Sequence, residues 1–155
     1  MLLLLAVGQT VVIITRNVDL SVGSVLGLTA YLTGRLFVDH PGLPIIVVVL
    51  VAVLAGAGLG LINGVLVGYG KVPALVITLG TMYIFRGVAL TWAGSSRITA
   101  GQLPDSFLDL GTQQVVSIPV LFVVAVASCS PSATTCRRSL GRELYAVGSD
   151  PDAAV

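Results

Sequence analysis

Apolar residues fill long runs of this chain, and short polar or Gly- and Pro-containing turns separate them. A membrane-spanning helix needs about 20 apolar residues, a length that the third and fourth runs reach. The pattern predicts an all-α fold, a polytopic integral membrane helix bundle with about five transmembrane segments. A cleavable signal peptide is the alternative for the first run, which lacks the basic region and the cleavage site of such peptides. The predicted spans cover approximately residues 2–15, 22–38, 43–68, 74–92 and 116–127.

Composition supports a membrane protein and excludes several other classes. Hydrophobic residues make up 55% of the chain and charged residues only 10%, whereas about a quarter of the residues of a soluble domain are charged. The net charge of +1 excludes a polybasic nucleic-acid binder, because phosphate binding requires clustered Lys and Arg. Cys129, Cys136 and the remote His40 match no zinc pattern. We therefore predict a lipid bilayer as partner, and neither a catalytic site, a metal site nor a cofactor.

A charged turn separates the first two apolar runs. Arg16 and Asp19 lie three residues apart there, and each would cost roughly 2.5 to 3.5 kcal/mol at the centre of a bilayer. Two interpretations are open: a tight loop at the membrane edge, or a partly re-entrant turn buried among helices that satisfy its backbone groups. The second interpretation makes Asp19 and Ser21 candidates for a functional site.

Polar and small residues inside the third and fourth runs are the next candidates. The amide of Asn63 requires partners in a membrane, so it is either interhelical glue or a pathway-lining group. Arg86 lies about 18 Å along its helix from Ala74. Its guanidinium either snorkels or forms a structural ion pair, or it faces a substrate. Small residues that recur every four positions predict a helix-packing face, formed by Ala52, Gly56, Gly60, Gly64 and Gly68.

The connection over residues 93–115 is the longest polar segment. Within it, residues 103–110 are predicted to form a short surface helix with Asp105 and Asp109 on one face. These carboxylates, together with Arg97, either solvate a loop or dock a soluble partner. Lys and Arg are enriched in cytoplasmic loops, and most of them fall on the side of the C-terminal tail. The same count places this connection outside the cell.

Several stretches resemble one family of transport proteins. Residues 7–24, VGQTVVIITRNVDLSVGS, resemble the signature of ABC-type sugar import permeases of the ribose, xylose, rhamnose and autoinducer-2 group. Residues 141–149, GRELYAVGS, resemble the cytoplasmic segment with which such permeases contact their ATPase. The resemblance extends over nearly the whole chain, with further matches at residues 63–67, 71–74, 78–81 and 86–87.

This resemblance implies a permease subunit of the bacterial cytoplasmic (inner) membrane that works by alternating access. Its implied partners are cytoplasmic ATP-binding subunits, an extracytoplasmic sugar-binding protein and a second permease subunit. ATP is the ligand of a partner, since the chain lacks a Gly-x-x-x-x-Gly-Lys phosphate loop. The sequences Thr-Arg-Asn-Val-Asp and Leu-Pro-Asp-Ser favour rhamnose as the transported solute, with autoinducer 2 as the alternative.

The resemblance also implies roles for individual residues. Candidates for the substrate path or its hinge are Asp19, Ser21, Asn63 and Arg86. Candidates for contact with the binding protein are Arg97, Asp105 and Asp109. Candidates for coupling to the ATPase are Gly141, Arg142, Glu143, Tyr145 and Gly148.

Departures from the family appear in the last part of the chain. Family members continue through further spans, so residues 141–155 are expected to be a truncated coupling segment. Residues 128–140 are rich in Ser, Thr, Pro and Cys where the family has an apolar helix end. We hypothesise compensating frameshifts there, which translation of the other two reading frames tests. A non-functional fragment and a channel without ATP coupling are alternative functions, and the segment at 141–149 argues against the channel.

Overall fold

The computed structural model describes four stretches of the chain, residues 2–70, 72–112, 114–115 and 118–119. The chain divides into two compact units, one formed by Met1–Val18 with Leu110–Val155 and the other by Asp19–Asp109. Most of the predicted fifth span lies outside the described residues, as do the polar stretch and the coupling segment that follow it. Their structure and roles stay predictions.

Helix α1, Leu2–Ile14, belongs to the first unit. It ends in a turn that places Arg16 at a φ of +57°. There the Arg16 N–H donates to Ile13 O at 2.9 Å, and the Asn17 N–H donates to Val12 O at 3.2 Å. This pair of bonds is a Schellman motif, whose left-handed position is usually occupied by glycine. The predicted charged turn therefore begins as the C-terminal cap of α1.

A pair of two-residue strands is the only β-structure in the part of the chain that the structure describes. β1, Gln114–Val115, pairs antiparallel with β2, Ile118–Pro119. β2 lies inside the predicted fifth span, so the backbone at these two residues differs from the helix expected there. Val115 and Ile118 are β-branched and favour extended backbone. Pro119 has no N–H to donate and suits a strand edge.

Four helices make up the second unit and the segment that leaves it. They are α2, Val22–Asp39, α3, Ile45–Gly70, α4, Ala74–Ala93, and α5, Asp105–Thr112. A single 3₁₀ turn, Ala100–Gln102, lies between α4 and α5. α2 packs against both α3 and α4, and the contact between α3 and α4 is less extensive. Apart from the two short strands, the described chain is helical, as predicted.

Side-chain contacts show the directions of the three long helices. Ser21, just before α2, bonds to Asn63 in the second half of α3. Thr29, farther along α2, lies 3.8 Å from the position of a Cβ on Gly56, earlier in α3. Tyr31 packs edge-on against Trp92 near the end of α4, with ring centroids 5.3 Å apart. Leu20, just before α2, and Met82, in the first half of α4, line one groove. α2 therefore runs antiparallel to α3 and parallel to α4, the alternation expected of successive spans joined by short turns.

Proline and glycine set the ends of α4. Pro73 precedes the helix with a φ of −51°, and proline suits a helix start because its missing N–H would have no partner there. Gly94 ends the helix at a φ of +54°, and its N–H donates to Leu90 O at 2.9 Å. The predicted span, residues 74–92, thus agrees with the observed helix, which begins at Ala74 and ends one residue later, at Ala93.

The membrane-crossing potential of the described helices is unequal. α3 and α4 are each long and apolar enough to cross a bilayer, and α1 is apolar but shorter. α2 carries the exposed ion pair of Arg35 and Asp39, in which Nε and Oδ2 lie 3.0 Å apart. Large apolar side chains such as Ile46 and Leu61 are exposed along α3. Such a surface suits lipid, because lipid tails are as apolar as leucine.

An apolar cluster forms where α2 ends. Phe37 is 1% exposed, and its ring centroid lies 4.8 Å from that of Phe107. A Cβ on Gly34 would lie 3.0 Å from Ile98 Cδ1, so glycine at this position gives Ile98 its room. We call Gly34, Phe37, Ile98 and Phe107 the aromatic end of α2. These contacts hold the connection after α4 against α2.

Candidate functional site

Three polar residues form a hydrogen-bonded chain where α2 begins. Asn63 Nδ2, on α3, donates to Ser21 Oγ at 2.6 Å. The Ser21 hydroxyl donates to Asp19 Oδ1 at 2.7 Å, and the Ser21 backbone N–H donates to the same oxygen at 2.8 Å. We call Asp19, Ser21 and Asn63 the polar network. It ties the first turn of α2 to a residue 42 positions later in the sequence.

Asp19 stabilises the start of α2. The side chain of Ser21 makes no capping hydrogen bond to the helix, and the Asp19 carboxylate instead accepts the Ser21 N–H. The Ser21 carbonyl accepts from the N–H groups of Ser24 and Val25, each at 2.9 Å. A carboxylate is favourable here because the first N–H groups of a helix carry partial positive charge. The turn is therefore held by both its backbone and its side chains.

Two residues of the polar network are buried, and its hydrogen bonds run in one direction, from Asn63 through Ser21 to Asp19. Ser21 is 0% and Asn63 5% exposed. Because the Ser21 proton goes to Asp19, the Ser21 oxygen accepts from Asn63, which orients the Asn63 amide. Asn63 Oδ1 has no hydrogen-bond partner among the described residues. An unpaired buried carbonyl costs about 1 to 3 kcal/mol, so this oxygen is an acceptor for a further donor.

A groove of about 390 Å³ lies between α2 and α4, and we call it the α2–α4 groove. Arg86 lines its α4 wall, and Ser24 and Tyr31 line its α2 wall. The Tyr31 hydroxyl and Ser96 Oγ lie 3.3 Å apart. The remaining lining residues are apolar or glycine.

A second groove, also of about 390 Å³, is lined by α2, α3 and α4 and is almost wholly apolar. Its one hydroxyl side chain, Thr29, donates to Val25 O within its own helix at 2.8 Å, and its other group with a polar atom is the indole of Trp92. In the described part of the chain, no group of three His, Cys, Asp or Glu side chains could hold a metal ion. The polar groups of the polar network and the α2–α4 groove are hydroxyls, the Asn63 amide, the Asp19 carboxylate and the Arg86 guanidinium.

Comparison with known proteins assigns the chain to a family. A family model described as the permease component of the branched-chain amino acid transport system matches residues 1–155. The chain belongs to this permease family. No solved structure matches the permease chain significantly.

Autoinducer 2 import system permease proteins are among the relatives of the permease chain. LsrC of Yersinia enterocolitica is 36% identical over 150 residues, which are 96% of this chain and 41% of that protein. LsrC of Escherichia coli K12 is 35% identical over 96% of this chain and 43% of its own length. LsrC of Enterobacter sp. strain 638 is 39% identical over 99% of this chain and 44% of its own length. The permease chain thus spans less than half the length of these relatives.

The predicted path residues fall into two places in the permease chain. Asp19, Ser21 and Asn63 are joined in the polar network, so Asn63 makes a bond between helices, as one of its two alternative interpretations requires. Arg86 lies apart from them on the wall of the α2–α4 groove and is exposed. Whether these residues line a path stays a prediction.

The predicted docking residues follow α4 and are exposed. α5 carries Asp105 and Asp109 four residues apart, on one helix face. Before it, the Thr99 N–H donates to Gln102 Oε1 at 3.0 Å and fixes the 3₁₀ turn. The role of these two carboxylates and of Arg97 in docking stays a prediction.

The glycines predicted to form a packing face and the residues predicted to couple to the ATPase are the remaining candidates. On α3, a Cβ on Gly56 would contact Thr29, whereas one on Gly60, Gly64 or Gly68 would meet no atom within 4 Å. Packing of these last three glycines against another helix therefore stays a prediction. The predicted coupling residues lie outside the described residues, namely Gly141, Arg142, Glu143, Tyr145 and Gly148.

Sequence reasoning missed the α2 wall of the groove. Gly23, Gly27 and Tyr31 recur every four residues and therefore share one helix face. The spacing argument used for α3 would have found this stripe, whose two glycines leave room beside Ser24. Gly34 carried no comparable signal, because its close neighbour Ile98 is distant in the sequence.

Proposed function

We propose that this chain is part of a membrane-spanning permease subunit of an ATP-driven importer for a small hydroxylated solute. The observation that carries the proposal is the family match over residues 1–155, together with relatives named as autoinducer 2 import permeases. Autoinducer 2 becomes the first candidate for the solute because of those names. Rhamnose, which the sequence resemblance placed first, becomes the second.

The proposed subunit lies in the bacterial cytoplasmic membrane and crosses it with about five segments in this part of the chain. Two features support this topology: the length and composition of α3 and α4, and the alternating directions of α2, α3 and α4. The excess of Lys and Arg on one side favours a cytoplasmic C-terminal tail. Residues 93–115 then lie outside.

The proposed partners follow from this topology. Cytoplasmic ATP-binding subunits engage residues 141–149, and a second permease subunit completes the path. An extracytoplasmic binding protein delivers the solute to the exposed segment that contains Arg97, Asp105 and Asp109. The exposure of these three residues supports such a contact.

In the proposed mechanism, ATP-driven closure of the partner subunits rocks packed helices about a central path. The polar network makes α2 and α3 move as one body, because its bonds hold the start of α2 against α3. Asp19 and Asn63 are thus positioning residues of this body. Arg86 faces the solute from α4.

Uptake by the complete transporter tests the proposal. The full-length permease would be expressed with the ATPase and binding protein encoded beside it, in cells that lack other importers for the solutes. We expect uptake of autoinducer 2 or L-rhamnose and none of L-leucine. Uptake of L-leucine alone, or of none of the three by a transporter of normal membrane abundance, would contradict the proposal.

Variants of the polar network test its proposed role. Asp19→Asn and Asn63→Ala should each lower uptake at least about tenfold at equal membrane abundance, a change that corresponds to about 1.4 kcal/mol. Thr33→Ala is the matched control, since its hydroxyl bonds only to Thr29 O within α2, at 2.8 Å. Normal uptake by both network variants would remove the polar network from the mechanism.

A further inference from the structure

The connection after α4, residues 94–109, follows one side of α2. Three contacts at successive positions of the connection attach it to the second half of that helix. They join Ser96 to Tyr31, Ile98 to Gly34 and Phe107 to Phe37. The three α2 residues recur every three positions, so they are neighbours on the helix surface. The connection therefore follows α2 over about 9 Å, the rise of six residues.

The contact at Gly34 is a close fit. A Cβ there would lie 3.0 Å from Ile98 Cδ1 and 3.3 Å from Ile98 Cγ2. Glycine weakens the interior of a helix relative to alanine, but at this buried position it leaves a notch that the Ile98 side chain fills. Closely packed side chains resist compression and transmit strain. A displacement of Ile98 is therefore passed on to α2.

Charged side chains of the connection are exposed beside these contacts. Arg97 directly precedes Ile98, and Asp105 lies two residues before Phe107. Arg97 and Asp105 are exposed, whereas Ile98 and Phe107 are half-buried. The 3₁₀ turn between the two pairs is closed by its own side-chain hydrogen bonds. The proposed contacts with a binding protein thus alternate along the chain with contacts to α2.

α2 joins the connection to the polar network. Ser21 lies 13 residues before Gly34, about 20 Å along the helix axis, and it accepts the bond from Asn63 on α3. A helix is a rigid element that can carry coupling over this distance. Hydrogen bonds weaken steeply with angle, so a small rotation of α2 changes the bond between Asn63 and Ser21.

We propose that Ile98 and Phe107 are positioning residues that transmit docking of the binding protein from the connection to α2. The inference rests on the proposed function, and it adds to it a link between the docking contact and the polar network. Docking on the exposed charges displaces the connection, the filled notch at Gly34 passes the displacement to α2, and α2 rotates against α3. The contacts that stabilise the aromatic end of α2 are also those that make this link stiff.

ATP hydrolysis by the complete transporter tests the link. The full-length permease would be assembled with its ATPase in lipid nanodiscs, and hydrolysis measured with and without the binding protein, saturated with autoinducer 2 or, in a second series, with L-rhamnose. Ile98→Ala empties the notch and should lower the stimulation by the binding protein at least about threefold. Phe107→Ala should act in the same direction. For Ile98→Ala, basal hydrolysis and the dissociation constant of the binding protein without ATP should keep their wild-type values.

Further variants distinguish transmission from a general loss of structure. Ile84→Ala is the matched control, since Ile84 is 61% exposed on α4, and the stimulation should not change. Gly34→Ala combined with Ile98→Val should restore the stimulation, because the new methyl group replaces Ile98 Cδ1, the atom nearest the notch. Ile98→Val alone should lie between the wild type and Ile98→Ala.

The outcomes separate this inference from the proposed function. Full stimulation of the Ile98→Ala variant would overturn the inference and leave the proposed function intact. A weaker affinity for the binding protein that accounts for the whole loss would also overturn it, as would a double variant that restores no stimulation. If the binding protein stimulates the wild type with neither solute, the proposed partnership is wrong and the inference falls with it.

Discussion

The two ends of α2 are held to the rest of its unit by different kinds of contact. At its start, the polar network makes directed hydrogen bonds of 2.6 to 2.8 Å to α3 and to the preceding turn. At its other end, Phe37 packs against Phe107, and Gly34 admits Ile98. The first kind of contact defines an orientation with few atoms. The apolar contacts instead involve many atoms, and they stabilise the connection after α4 against α2.

This difference suggests that the two ends of α2 have different roles, one in the orientation of the helix and the other in stability. Hydrogen bonds weaken steeply with angle, so the polar network defines how α2 is rotated against α3. Apolar contacts are less directional, and their strength follows the area in contact. We therefore expect changes at the aromatic end to alter stability most, and changes in the polar network to alter stability less and transport more.

The largest expected effect is that of Phe37→Ala. Removal of a buried phenyl ring leaves a cavity and costs about 3 to 5 kcal/mol of unfolding free energy. Thermal unfolding in lipid nanodiscs measures the loss, and proteolysis should become faster in the connection between α4 and α5. Tyr83→Ala, at a residue 65% exposed, is the matched control and should change stability by less than about 0.5 kcal/mol. A similar small change for Phe37→Ala would contradict the assignment of the stabilising end.

Ser21→Ala is expected to cost less, about 2 kcal/mol, because it leaves two buried polar partners with fewer bonds. Ser24→Ala provides the comparison, since the Ser24 hydroxyl bonds only to Ser21 O, and it should cost less than about 1 kcal/mol. The same unfolding assay distinguishes the two serines. Equal losses would show that the interhelical bond adds nothing.

The double variant Ser21→Ala with Phe37→Ala tests whether the two ends act independently. The residues are 16 positions apart on one helix, about 24 Å along its axis. Effects of sites at this distance usually add within about 0.5 kcal/mol. A larger deviation in the unfolding free energy would mean that α2 transmits strain between its ends.

Arg16→Gly has the smallest expected effect, and it is stabilising. Arg16 has a φ of +57°, which costs a non-glycine residue roughly 1 to 2 kcal/mol. Glycine removes this cost but adds chain entropy, leaving a gain of about 0.5 kcal/mol. Arg16→Ala removes the charge and retains the strain, so no gain is expected from it. A gain from both variants would assign the effect to the charge.

Local signals determined where most helices begin and end. The apolar run over residues 74–92 predicted α4 within one residue of its observed end at Ala93, because the hydrophobic pattern is local. The short surface helix predicted over residues 103–110 is observed as α5, which begins and ends two residues later. The left-handed Arg16 was missed, since no glycine marked the end of α1.

The sequence by itself determined the class of protein, the main helices and the family, because composition and local patterns carry that information. It also named Asp19, Ser21, Asn63 and Arg86 as candidates from the cost of burying polar groups. Only the tertiary structure decided that the first three form one network across 42 residues and that Arg86 faces a separate groove. Such pairings depend on how α2 is rotated against α3 and α4. That rotation is set by packing between distant residues, which no local pattern specifies.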